Sequence, residues 1–332
     1  SYRVKHGAAR RVLRVAKHWK RKLNVAPADE EIEACGLLAA FAYPDRIAQR
    51  AGDAGRDGQG SRFRMQNGQM ASFTRPQLLS EEEFAVAAHV GGRQRGATRI
   101  FLAAPITERD LRDHFEGHIH GEHLLTWDSG ARLVRTRKRE KLGALVLKDG
   151  PLRQPDPAKL AETFITGIRE EGLGILPWGK KTRQLQRRMQ FVHERTDGWP
   201  DVSNEALLAS LEDWLMPHIY GMKRADELRQ LNLAEILKSM LSWEQREQLD
   251  EMAPTHITVP SGSHRPIDYS DPEAPVLAVR LQELFGLTET PKIAGGRVPL
   301  TLHLLSPAQR PVQITQDLAN FWENTYFEVK KD

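Results

Sequence analysis

The sequence predicts a multidomain α+β protein, and three observations carry that prediction. Apolar residues at helical spacing occupy the opening segment. Short extended runs broken by turn residues follow. Both patterns mix from residue 151 onward. The expected division is 1–58, the end of a helical region with a linker; 59–150, a small β-barrel of the OB-fold kind; and 151–332, an α+β domain.

In RRVLRVAKHWKRKL, Val12, Val15, Ala16, Trp19 and Leu23 fall on one helical face and leave the cations on the other. A second helix is expected through EEIEACGLLAAFAY, ending at Pro44, with Cys35 buried on the face of Ile32, Ala39 and Tyr43. The glycine-rich AGDAGRDGQG at 51–60 reads as a linker.

The barrel expectation rests on strand density. RFRMQNGQMASF places Asn67-Gly68 between two extended runs, which predicts a hairpin closed by a type I′ turn. FAVAAHV and RIFLAAPI flank GGRQRGAT, and HLLTW, ARLVRTRKR and LGALVL follow. About six short strands in this span suit a small closed barrel. Beyond it, helices are expected at 158–171, 181–195, 204–219 and 226–252. Strands are expected in HITVPSGSHRPIDYS and a helix in PVLAVRLQELFGL. A hairpin in VPLTLHLLSPAQRPVQIT and a helix in QDLANFWENTY complete the reading.

Composition narrows the function classes. A single cysteine excludes an internal disulfide framework and suits a reducing cytosol, and no apolar run approaches the ~18 residues of a membrane span. No secretory signal opens the chain, and its basic start predicts a cytoplasmic piece of a longer protein. The net charge of +4 is unevenly spread. Residues 1–23 carry nine Lys or Arg and no acid, 131–141 carry six against Glu140, and 180–188 carry five against none. Separate basic stretches in a nearly balanced chain point to a polyanionic partner, nucleic acid first.

Four stretches invite a chemical reading. GILPWGKKT almost matches a phosphate-binding loop, but Lys181 stands where a hydroxyl is required and an amphipathic helix, not a strand, precedes it. Pro177 removes one backbone donor from the cradle, so a basic turn between helices is expected. HFEGHIHGEH gathers His114, His118, His120, His123, Glu116 and Glu122 without a metalloprotease spacing, and no metal site is assigned. PSGSHRPIDYS holds Ser261, Ser263 and His264 without a nucleophile elbow, and no catalytic residue is assigned. RLVRTRKREK is the strongest candidate: in a strand, Arg135, Arg137 and Arg139 would stand about 6.7 Å apart on one face of the barrel, close to the stride of a single-stranded backbone. Lys138 and Lys141 extend that strand, and Arg62, Arg64, Arg93 and Arg95 lie on neighbouring strands and loops. The nearby rings Phe63, Phe73, Phe101 and Trp127 are expected in the core.

Several segments carry a family resemblance. GLLAAFAYPDRIAQR, LGALVL, GILPW, LLASLEDWL, THITVPSGS, the long run 267–322 and the closing VKKD resemble the HrpB family of bacterial DExH-box ATP-dependent RNA helicases, over nearly the whole chain. The resemblance is to the region after the motor. It implies the end of a helical bundle, an OB-fold and a family-specific C-terminal domain. It also implies that ATP and Mg²⁺ are held by upstream RecA-like domains, so no cofactor is expected in this chain. The expected role is an accessory region that binds single-stranded RNA and supports the motor. The alternative is a scaffold for a protein partner, motivated by the apolar and aromatic content of LEDWLMPHIYGM and ANFWENTYF.

Overall fold

A computed structural model describes residues 6–25, 34–51, 62–75, 77–94 and 96–326. The chain folds as two units, 1–122 with 138–150 and 123–137 with 151–332.

The first unit is built on a closed five-stranded barrel. Its strands are β1 (Ile47–Arg50), β2 (Arg62–Met65), β3 (Met70–Phe73), β4 (Phe84–Gln94) and β5 (Ala97–Pro105), in the order β1-β2-β3-β5-β4. All neighbours are antiparallel except β3 and β5, which are parallel, and β1 closes the ring by pairing with β4. Strand β1 lies in the segment where the sequence points to helix and linker. Its four residues are too few to declare a period.

The β2–β3 hairpin forms where Asn67-Gly68 places it, but the turn is not type I′. That type needs positive φ at both central residues, and of the two only Gly68 has it, at 84°. Gly68 N–H donates to the Met65 carbonyl and Met65 N–H to the Gln69 carbonyl, which is a three-residue loop ending in a glycine bulge.

Burial follows from the pleat. Phe63 and Met65 point into the barrel, and Arg62 and Arg64 point out. In β4, Ala85 and Ala87 join the interior with Phe63, Phe73 and Ile100. Phe84 and Val86 join a second apolar layer with Ala40, Leu111, Phe115 and Leu142. A strand buried on both faces reads as a continuous apolar run, which explains FAVAA.

Helices α1 (His6–Lys22), α2 (Cys35–Ala42) and α3 (Glu108–Phe115) also belong to this unit. Along α1, Val12, Val15 and Trp19 are exposed, as is Leu23 just beyond it. Helix α2 buries Gly36 and Ala40, not Cys35, which is exposed. The cause is a close approach: a Cβ on Gly36 would stand 1.7 Å from the Pro105 carbonyl oxygen. CGLLAAFA is apolar on every face, so its pattern cannot indicate which side turns inward.

Strands β6 (Ile119–Asp128), β7 (Leu133–Leu142) and β8 (Leu145–Pro151) form their own three-stranded sheet. The basic strand is therefore not a barrel strand, contrary to the sequence reading. Strand spacing alone does not report which sheet a strand joins. The boundary between the two units falls inside β6 and β7.

In the second unit, α4 (Pro157–Glu171), α5 (Lys180–His193), α6 (Asn204–Ala209), α7 (Leu211–Trp214), α8 (Leu233–Ser239) and α9 (Trp243–Met252) precede a mixed sheet. The spans 204–219 and 226–252 are thus broken rather than continuous. Ser210 ends α6, and Asn232 and Ser242 cap α8 and α9 with side-chain oxygens, so each of these starts a new helix. Strands β9 (His256–Thr258), β10 (His264–Asp268), β11 (Val276–Arg280), β12 (Lys292–Ile293), β13 (Val298–Pro299), β14 (Thr301–Leu305) and β15 (Pro311–Thr315) follow. The main sheet runs β15-β14-β11-β10-β9, and β12 pairs with β13. PVLAVRLQELFGL, expected as a helix, supplies the central strand β11, parallel to β14. Val276 and Val279 are β-branched, and the buried Leu277 and Val279 alternate with the exposed Ala278. A short helix α10 (Leu318–Asn320) continues as a π-turn over Phe321–Thr325.

Candidate nucleic-acid interface

Gly143 lies in the turn between β7 and β8, next to a basic cleft of the first unit. It has φ +57°, and a Cβ there would stand 2.6 Å from the Gln66 carbonyl oxygen. That absence of a side chain lets the β7–β8 turn dock against the β2–β3 loop, where Ala144 N–H donates to the Gln66 carbonyl at 2.9 Å. Gln49 on β1 completes the junction. Its amide donates to the Val146 carbonyl at 2.8 Å and accepts from the Val146 N–H at 2.9 Å, as a strand partner would.

This junction brings Arg139 beside Arg50 and Arg64, around a cavity of about 430 Å³ that Gln49, Val146 and Asp149 also line. Arg139 Nε donates to Asp149 at 3.0 Å. Arg50 and Arg64 are exposed and, among the described residues, have no carboxylate partner. Three guanidinium groups therefore face one carboxylate. That imbalance favours an anion, and guanidinium forks match phosphate geometry.

The sequence candidates separate on inspection. Arg64 and Arg139 converge here, and Arg62 lies on the same outward face of β2. Arg135 is held by Asp128, and Lys141 Nζ lies 3.4 Å from Glu122. Arg137 and Lys138 are exposed on β7. Arg93 sits on β4 opposite Thr98, and Arg95 lies outside the described residues. The Asp128 carboxyl is held below the usual range by the Ala131 N–H first and by Arg135 second. Glu140, between Arg139 and Lys141, is likewise lowered, chiefly by a hydrogen bond from Arg112 at 2.9 Å. The ladder is thus substantially ion-paired, whereas the barrel arginines are not. Sequence reasoning missed Arg50 and Gln49; both follow Pro44 in a segment without strand periodicity, so no local signal marks them.

Among the four rings expected in the core, Phe63 and Phe73 are buried, and Trp127 is partly buried against Phe164 at 5.6 Å. Phe101 is different, at 42% exposed. Its ring rests 3.4 Å from where a Cβ on Gly91 would stand, beside His89 at 5.2 Å between centroids.

The remaining sequence motifs resolve into structure. GILPWGKKT links α4 to α5, and Gly179 precedes the first residue of α5 without a side-chain cap. Trp178 turns inward and donates its indole N–H to the Leu173 carbonyl at 2.8 Å. His264 pairs with Thr258 Oγ1 at 3.0 Å, while Ser261 and Ser263 hydrogen-bond each other at 3.1 Å. Among the described residues, no three His, Cys, Asp or Glu side chains gather as a metal-holding group, and no helix is long and apolar enough to cross a membrane. In LEDWLMPHIYGM, Leu211, Trp214, Leu215 and Ile219 are buried and Tyr220 is exposed.

A family model described as "ATP-dependent helicase C-terminal" matches residues 214–332. A similar curated protein is the "ATP-dependent RNA helicase HrpB" of Escherichia coli (strain K12), 36% identical over 315 residues. That alignment covers 94% of this chain and 38% of the relative's length. Two solved structures are similar. One is described as E. coli DExH-box NTPase HrpB (TM-score 0.53, 36% identity) and the other as Escherichia coli DEAH/RHA helicase HrpB (TM-score 0.51, 34% identity). Each match covers 95% of this chain and 39% of the other.

Proposed function

The chain belongs to the HrpB family, corresponding to the C-terminal region of the helicase, and on that premise we propose that it is the accessory, single-stranded-RNA-binding part of an ATP-dependent helicase. The observation that carries this reading is the convergence of Arg50 and Arg64 of a closed five-stranded barrel with Arg139 of the adjoining β7–β8 hairpin on one cleft. The barrel order and its single parallel pair support an OB-fold, an architecture that grips single strands through a basic groove and exposed rings. Phe101, half-exposed on the β4–β5 hairpin, supplies such a ring. In this reading the exposed α1 ends a helical bundle, the barrel runs from β1 at Ile47 to β5 at Pro105 rather than over 59–150, and 151–332 belongs to the C-terminal domain.

ATP and Mg²⁺ would be bound by RecA-like motor domains elsewhere in the protein, and no residue here is assigned a catalytic step. The motor and RNA are its partners, and the cytoplasm is the compartment this role implies. A second reading, docking of a protein on the C-terminal domain, draws on an apolar cavity of about 360 Å³ lined by Phe285, Leu287, Trp322 and Tyr326.

The test is anisotropy of a short labelled single-stranded RNA with this chain across a salt series. The expected log–log slope is about −2 to −4, with roughly 0.7 per phosphate neutralised. Replacing Arg50, Arg64 and Arg139 together by alanine should reduce its magnitude by about 2. Absence of binding at low salt, or a triple variant with the parent slope, would sink the assignment.

A further inference from the structure

Helix α5 carries five cations and no acid, and the fold treats its arginines unequally. Arg188 is buried, with Nε donating to the Ala253 carbonyl and its fork reaching the Leu249 carbonyl and Asp250. Its Nε and Nη2 are occupied. Arg183 and Arg187, one turn apart on the same face, are not so held. Arg183 lies over the Trp178 ring, its Cζ 3.8 Å from the centroid, and donates to the neutral Gln186 side chain at 3.1 Å. No carboxylate pairs with it among the described residues. Arg187 has only a loose contact with Asp268 at 3.5 Å, and the same Asp268 oxygen already accepts from the Ser270 N–H and hydroxyl.

Both guanidinium groups line a cavity of about 360 Å³ whose other walls include Gln190, Ser203, Asn204 and Ser270. Burial, and after it the neighbouring Arg187 charge, push Arg183 below the usual arginine value. Two like charges one helical turn apart are mildly repulsive without an anion between them. The guanidinium of Arg183 is already oriented by its indole platform, so little side-chain freedom remains to be lost on binding. The cavity lies at the small end of ligand-site volumes, which suits a single anionic group better than a whole dinucleotide.

We propose that this cavity is a phosphate-ester site in the second unit, with Arg183 and Arg187 as the two guanidinium clamps. The site is separate from the barrel cleft, and its occupant is either a nucleic-acid backbone phosphate or a free phosphate ligand.

The experiment observes the arginine Nε–H resonances of this chain during titration with inorganic phosphate and, separately, with a short single-stranded oligoribonucleotide. Arg183 and Arg187 should shift saturably under at least one titrant. A response to phosphate as well as RNA identifies a general phosphate-ester site. A response to phosphate alone identifies a free ligand, and a response to RNA alone identifies a backbone contact. The double variant R183Q/R187Q should weaken the responding titrant at least tenfold, and R187K should weaken it less, because it keeps charge but loses the fork. The Arg188 Nε–H, tied to Ala253, reports that α5 is still folded in each variant. If neither titrant moves Arg183 or Arg187, or if the backbone amides of Ser203 and Ser270 respond to the same titrant as tightly in R183Q/R187Q as in the parent, the proposal is wrong. Barrel variants at Arg50, Arg64 and Arg139 should leave these resonances responsive to inorganic phosphate, which distinguishes this outcome from failure of the barrel assignment.

Discussion

Strand β7 and helix α5 each carry five Lys or Arg, and the two elements handle that charge differently. On β7, acids on adjacent strands meet the cations: Asp128 and Glu122 on β6 hold Arg135 and Lys141, and Asp149 on β8 holds Arg139. A sheet presents side chains of neighbouring strands at fixed spacing, so complementary charge on both flanks neutralises a basic strand almost automatically. On α5 the neighbouring elements offer mainly carbonyls, amides and hydroxyls, so one arginine becomes an internal anchor and two remain open toward a cavity. Charge density in sequence is therefore a poor guide to charge available for a ligand.

The largest expected effect breaks the anchor. Arg188→Ala leaves the Ala253 carbonyl without its donor and unpairs the α5 anchor from the Leu249 carbonyl, which keeps the Ala253 N–H, and should destabilise the second unit by about 3 kcal/mol. Arg135→Ala removes an exposed pair and should cost less than about 1 kcal/mol. Urea unfolding of the two variants checks this; equal losses would erase the distinction drawn between the elements.

The β7–β8 turn offers a second way to probe the comparison. Gly143→Ala introduces a Cβ into 2.6 Å contact with a backbone oxygen at positive φ, and a loss of about 2 kcal/mol is expected. The same change should weaken RNA binding, because that turn places Arg139 beside Arg50 and Arg64. Loss of stability with undiminished binding would mean that the cleft does not depend on this junction.

Much of this contrast was legible in part. The hairpins, α4, α5, the β9–β10 and β14–β15 pairs and the strand character of β7 follow from periodicity and turn residues. Strand β11 was hidden because VLAVRLQELF satisfies helical and extended spacing alike, and its central, parallel position decides the outcome. Cys35 faces outward, against the sequence expectation, because α2 is apolar all round and only the approach of Pro105 to Gly36 selects the buried face. At the candidate site, Arg64 and Arg139 could be named from charge. Arg50 and Gln49 could not, because their role arises from contacts 97 residues apart, such as Gln49 with Val146. Phe101 looked like core, and its exposure comes from the irregular β4–β5 register.

A smaller effect separates the two arginine sets directly. Arg50→Ala with Arg64→Ala should weaken single-stranded RNA binding about tenfold at low salt, whereas Arg135→Ala with Lys141→Ala should change it no more than about twofold, since those cations are already paired. Anisotropy at two salt concentrations suffices. A reversal of that order would return the interface to β7.

The smallest expected effect concerns the one acid on β7. Arg112 on α3 bridges Glu108 and Glu140, at 2.7 and 2.9 Å, and this pairing holds the Glu140 carboxyl below its ordinary value of 4.5. A lowered folded-state value means that the charged form is favoured by folding. The contribution is therefore present above the unfolded value and is lost as pH falls through the lowered one. Arg112→Ala should return Glu140 toward 4.5 in a carboxyl-carbon NMR titration and flatten the acid-side decline in stability of the first unit. It should leave Asp128 low, because that carboxyl is held first by the Ala131 N–H. If Glu140 stays low without Arg112, Lys148 on β8 and Lys138 on β7 hold it, and the sheet is more self-contained than its pairing with α3 implies.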